Sequence, residues 1–98
     1  MYKNIKIIYD SVLEDRIVDL LKSENIEKYL KVPKVEGCWS KELRHFDSHV
    51  WPGTDEIILI LLEKSIAEKL LIKLRSFKKN LEVSVPITVV VSPVEEII

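Results

Sequence analysis

Ile57-Ile58-Leu59-Ile60-Leu61-Leu62 is the longest uninterrupted apolar run in the chain, and its reading decides the fold. Six residues fall far short of the roughly 20 that a membrane-spanning helix requires. The run is rich in isoleucine and bounded by charge, Asp55-Glu56 before it and Glu63-Lys64 after it, which reads as a strand buried on both faces. The predicted strand covers 49–63 and is entered through Trp51-Pro52-Gly53. After it, Ile66, Ala67, Leu70, Leu71, Leu74 and Phe77 recur at helical spacing, with Lys64, Glu68, Arg75 and Lys79 opposite, predicting a helix over 64–80. A last strand follows over 83–91, with Pro86 inside it.

Before the run the pattern is the same in miniature. Ile5, Ile7 and Tyr9 alternate, predicting a strand over 3–9. Asp10 and Ser11 offer an N-cap, and Ser11 with Glu14 has the capping-box spacing. Leu13, Ile17, Leu20 and Leu21 then form a helical stripe, so a helix is predicted over 11–24 with Asn25 as its stop. A strand over 29–36 contains Pro33, which cannot donate to a ladder and marks an edge strand or a bulge. Residues 37–48 are predicted as a loop.

The order is βαββαβ, the split βαβ arrangement of ferredoxin-like α+β domains. One four-stranded antiparallel sheet carries two helices on one face. The first and third strands are central, and Pro33 and Pro86 fall on the edge strands. The whole chain, 1–98, is a single domain of 11.4 kDa. Right-handed crossovers put both helices on one side, leaving the other face of the sheet bare. A sheet with one wet face alternates apolar and polar residues, and 57–62 does not. About six large apolar side chains point away from the helices. At ~1.5 kcal/mol each their burial is worth on the order of 10 kcal/mol, comparable to the stability of a small domain. The expectation is a homo-oligomer that covers this face.

Composition narrows the function classes. Fifteen Lys and Arg against sixteen Asp and Glu give a net charge of −1, unlike a basic nucleic-acid binder. A single cysteine excludes a disulfide framework and suits a reducing compartment, so a cytoplasmic location without direct membrane insertion is expected. An RNA-recognition sheet needs stacking aromatics on the third strand, a soft-metal chaperone a Cys-x-x-Cys pair, and a phosphate site a glycine-rich turn after the first strand. None is present. No nucleophile–base arrangement stands out, so a non-enzymatic role is expected.

Chemistry-bearing residues gather between 37 and 54: Cys38, Trp39, His45, His49, Trp51 and Gly53. Loop placement suits a binding role. His45 and His49 are candidate ligands for a transition metal, with Cys38 as a third. Trp39 and Trp51 are candidate pocket walls. Packed or solvent-exposed side chains remain the alternative for each.

Three segments carry a family resemblance. Lys34-Val35-Glu36-Gly37 ends the second strand, and Ser92-Pro93-Val94-Glu95-Glu96-Ile97 is similar to a Pro-Val-Glu-Glu-Val close. The run His45-Phe46-Asp47-Ser48-His49-Val50-Trp51-Pro52-Gly53 is similar to the His-Phe-Gly-Thr-His-x-Trp-Pro-Gly signature of a divergent PII-like branch. The chain therefore resembles the PII signalling superfamily. The resemblance implies a homotrimer with sheets facing inward and ligand sites in clefts between subunits. It also implies a 37–49 loop acting on a partner such as a membrane transporter. The divergent branch looks like a companion of heavy-metal efflux systems, which draws attention to His45 and His49. Classical members bind ATP, ADP and 2-oxoglutarate, but the glycine-rich stretch of the nucleotide site is replaced here by Lys78-Lys79-Asn80-Leu81-Glu82-Val83-Ser84. The central loop is short and lacks tyrosine. Neither an ATP site nor loop modification is carried over, and the cofactor is left unassigned. The expected function is regulation by a small ligand or metal; the alternative is a CutA-like metal-tolerance or structural trimer.

Overall fold

A computed structural model describes residues 1–98. The main sheet has strand order β2-β5-β1-β6, built from β1 (Tyr2–Asp10), β2 (Leu30–Val35), β5 (Asp55–Glu63) and β6 (Ile87–Pro93). All its pairings are antiparallel. Helices α1 (Glu14–Ser23) and α2 (Lys64–Lys79) supply the two crossovers. The predicted ferredoxin-like α+β fold, with first and third main-sheet strands central, is the one observed. A second, two-stranded sheet pairs β3 (Gly37–Ser40) with β4 (Leu43–His45).

The β1–β5 ladder sets the two faces. Ile5, Ile7 and Tyr9 stand opposite Ile60, Ile58 and Glu56 on the helix side, and all six are buried. Leu13, Ile17 and Leu21 of the first crossover and Ala67, Leu70 and Leu74 of α2 close the core over them. The other face carries Ile57, Leu59 and Leu61 from β5, Ile8 from β1, Leu30 and Val32 from β2, and Val90 from β6. Leu30 is 70% exposed and Leu61 51%, so the apolar face open to solvent is a feature of the folded monomer. Its central strand is more polar than the apolar run beside it: Lys6 stands between Leu59 and Val90, and Asn4 between Leu61 and Ser92. No helix is long and apolar enough to cross a membrane.

Several boundaries differ from the sequence reading for local reasons. The first crossover opens with a 3-10 turn, Ser11–Leu13, and its cap is Asp10, whose Oδ1 accepts the Val12 N–H at 3.0 Å. The Ser11 hydroxyl does not close a capping box; it bonds Thr54 Oγ1 at 2.8 Å. Asn25 does end α1, in the left-handed region at φ 57°. Its N–H bonds the Lys22 carbonyl and the Ile26 N–H bonds Leu21, a Schellman pattern with buried Ile26 as its apolar contact. Pro33 sits at a bulge: the β2–β5 register shifts between Val32 and Val35, and Lys34 has φ 55°. The strand predicted from 49 starts only at Asp55, and the one predicted from 83 starts at Ile87, one residue beyond Pro86.

One consequence lies on the helix side. The Tyr9 hydroxyl donates to Glu56 Oε1 at 2.8 Å inside the core. Burial, and then this bond to a carboxylate, push the Tyr9 phenol far above its ordinary range. The folded state thus holds a proton that the unfolded state releases at about pH 10. Stability linked to Tyr9 is complete below that pH and falls as pH rises above it. Alkaline unfolding followed by tyrosinate absorbance and circular dichroism is expected to show Tyr9 ionising only as the chain unfolds. Tyr9→Phe should remove that part of the slope and cost about 1–3 kcal/mol at neutral pH, because Glu56 loses its donor.

Candidate functional site

The segment 37–54, predicted as a loop followed by strand, is a folded insert between β2 and β5. Its first half is the β3–β4 hairpin, with Gly37 opposite His45 and Cys38 opposite Arg44. Its second half is a tight turn in which the Phe46 and Ser48 N–H groups bond the Trp51 carbonyl and the Asp47 N–H bonds that of Gly53. The Ser48 hydroxyl accepts the Trp51 N–H at 2.9 Å. Asp47 at φ 49° and Gly53 at φ 96° reverse the chain.

This insert is fastened to one end of the main sheet. Asp10 and Asp55 are register partners on the open face. His45 Nδ1 lies 2.7 Å from Asp55 Oδ1, and its Nε2 lies 3.5 Å from Asp10 Oδ2. The short contact fixes the Nδ1 proton toward Asp55, since a carboxylate only accepts. Trp39 Nε1 donates to the other Asp55 oxygen at 2.9 Å. Asp55 is 2% exposed and His45 7%. A buried carboxylate persists only when hydrogen-bonded, and here both its oxygens are engaged by side chains of the insert. Thr54 adds a backbone bond from the Ser11 N–H at 3.0 Å and the hydroxyl contact with Ser11.

The two glycines of the chain close around these groups. A Cβ on Gly37 would lie 2.6 Å from Asp55 Oδ2, and one on Gly53 3.4 Å from the His45 ring. Gly37→Ala is therefore expected to displace Asp55 and weaken its bond to Trp39, costing about 1–3 kcal/mol. Urea unfolding followed by tryptophan fluorescence measures it; unchanged stability would mean that the cleft has slack.

The sequence-selected residues divide. His45 and Trp39 meet at Asp55, and Gly53 packs at the His45 ring. Trp51 is half-buried, with the Arg44 guanidinium 5.3 Å from its ring centre. The Arg44 Nε is buried without a hydrogen-bond partner. Cys38 is exposed, its thiol 3.4 Å from the Ser40 carbonyl. His49 is exposed at the turn and enters none of this network. The structure does not bring His45 and His49 together as a metal pair. His45 faces two carboxylates instead, and no group of three metal-binding side chains assembles. Two surface cavities, of about 430 and 280 Å³, lie at the opposite end of the sheet, away from Trp39 and Trp51. Asp10, Asp55 and the Tyr9–Glu56 pair were not selected from sequence, although charged residues at the mouth of an otherwise apolar central strand were a usable signal.

A ferredoxin-like sheet with a hairpin insert between its second and third strands defines the structural class. No family model matches the chain, and no curated protein matches it in sequence. Among solved structures it is similar to CPII of Thiomonas intermedia K12, a nitrogen regulatory PII-like protein. The form bound to ADP and bicarbonate has a TM-score of 0.70 at 16% identity, covering 97% of this chain and 89% of that one. The form bound to ADP, AMP and bicarbonate has 0.67 at 18%, covering 99% and 96%. A candidate PII-like signalling protein of Thermus thermophilus gives 0.65 at 20% identity, covering 93% and 84%. At these identities the likeness establishes a shared fold.

Proposed function

We propose that the chain is a PII-like regulatory protein without catalytic activity. It is a homotrimer that buries the open sheet face, and it signals to a partner protein through the position of the 37–54 insert. The observation that carries this reading is the Asp10–His45–Asp55–Trp39 cluster. It makes the insert a separately folded piece, fastened by a few polar contacts to the end of a rigid sheet. A small ligand that binds only one position of such an element shifts its population by its differential affinity. A regulatory role is consistent with the fold shared with CPII, and the cytoplasm remains the expected location.

The effector is a small ligand. ADP, AMP and bicarbonate, which CPII binds, are the first probes, although 78–84 lacks the glycine-rich nucleotide stretch. Hydrogen exchange of residues 37–54, with calorimetry for each probe and for Zn, Cu and Ni ions, tests the proposal. A ligand that binds and changes exchange in 37–54 supports it. Slow exchange there under every condition favours the CutA-like structural trimer.

A further inference from the structure

We propose that segment 94–98 of one copy docks as an added strand into a groove beside β5 of the next copy. This rests on the trimer reading above. β2 joins β5 only as far as the Leu30–Leu59 pair, whereas β1 follows β5 to Glu63. Residues 60–63 therefore have a strand on one side only. Beside that bare edge opens the cavity of about 430 Å³, whose apolar lining is Ile26, Leu61, Leu62 and Ile66. Lys28 and Lys69 stand at its walls, and neither is in an ion pair. Of the two acidic residues there, Glu24 is paired with Lys73 at 3.2 Å, leaving Glu27 as the one free carboxylate.

The segment Val94-Glu95-Glu96-Ile97-Ile98 is the complement of that groove. Its backbone makes one bond, from the Val94 N–H to the Tyr2 carbonyl at 3.2 Å, and from Glu95 onward it lies in no helix or strand and is unpaired. Ile97 is 53% exposed and Ile98 fully so. An extended strand with free N–H and C=O groups adds to a bare edge, with pockets reading alternate side chains. The apolar residues match Leu61, Leu62 and Ile66, and Glu95 and Glu96 match Lys28 and Lys69. The segment's own groove is out of reach, because β1 and β5 lie between it and β6 in the strand order. A neighbour's is not: three copies with sheets inward set the β6 edge of each beside the β2 edge of the next, a head-to-tail contact that closes into a ring. Segment and groove also lie at the same end of the sheet, where β1 begins and β5 ends.

The test is disulfide trapping in the full chain with Cys38→Ser, pairing Ile66→Cys with Ile97→Cys or, separately, with Ile98→Cys. Mild oxidation is expected to convert most of the protein to covalent dimers and trimers on non-reducing gels for at least one pair. Lys69→Glu should lower the yield several-fold, and Glu96→Lys on that background should restore it. Native mass spectrometry of the reduced protein separates the failures. Trimers that do not cross-link overturn the docking while leaving the assembly intact, whereas monomers overturn the assembly reading and the docking together. A disulfide formed within one chain overturns the assignment to a second copy.

Discussion

Truncation of His45 to alanine is expected to lower the unfolding free energy by about 1.5–3 kcal/mol, the range for losing a hydrogen bond to a buried charged group. The ring is the group through which the insert reaches both Asp10 and Asp55. Without it Asp55 keeps only the Trp39 indole as a side-chain donor, and its second oxygen is left buried against nothing that can donate. The same change also loosens the insert, so amide exchange across 37–54 should accelerate beyond the global effect. His45→Asn provides the graded control. Its amide can occupy the Nδ1 position and still donate to Asp55, but it cannot reach Asp10, so its cost should be intermediate. Urea unfolding and hydrogen exchange on the two variants measure these terms. If His45→Ala stays within about 0.5 kcal/mol of the parent, as an ordinary surface change would, the cluster does not fasten the insert.

How far the fold could be read from sequence depended on the range of the interactions that fix it. Ile5-x-Ile7-x-Tyr9, the Leu13–Ile17–Leu21 stripe and the Asn25 stop are local patterns, and each appears where expected. Pro33 marked an edge and a bulge because a missing N–H is a property of one residue. The apolar run 57–62 announced a central strand because it places large apolar side chains on both faces of the sheet. The cluster was harder to find. Asp10 and Asp55 are 45 positions apart, and only the β1–β5 register makes them neighbours. His45 meets them because a four-residue and a three-residue strand fold back as a hairpin, too short for periodicity to reveal. The concentration of Trp, His and Cys falls on this insert, and two of those side chains, Trp39 and His45, hold it to Asp55. The pairing of His45 with His49 failed for the same reason that the hairpin was missed: the turn at 46–53 sends one ring inward and leaves the other in solvent.

The open face supplies the second large effect. Leu59→Glu is expected to convert the proposed trimer, about three times 11.4 kDa, to a folded monomer at micromolar concentration. In the monomer the change is mild, because Leu59 is the register partner of Lys6 and an opposite-charge cross-strand pair contributes roughly 0.2–1 kcal/mol. In the trimer the same carboxylate faces the neighbouring sheets. Each copy loses about 1.5–3 kcal/mol of apolar burial and must desolvate an ion at several kcal/mol; with three copies the sum is on the order of 10 kcal/mol or more, enough to dissolve a micromolar complex. Lys6 of the same chain can pair with the new carboxylate, but inside the interface both ions lose their hydration, so the pair does not recover the lost burial. Light scattering with far-ultraviolet circular dichroism reads both mass and fold. A variant that remains trimeric would place the assembly contacts elsewhere on the molecule. A parent protein that is itself monomeric would mean that Leu30, Leu61 and Val90 are simply wet, and the inward-facing arrangement would fall.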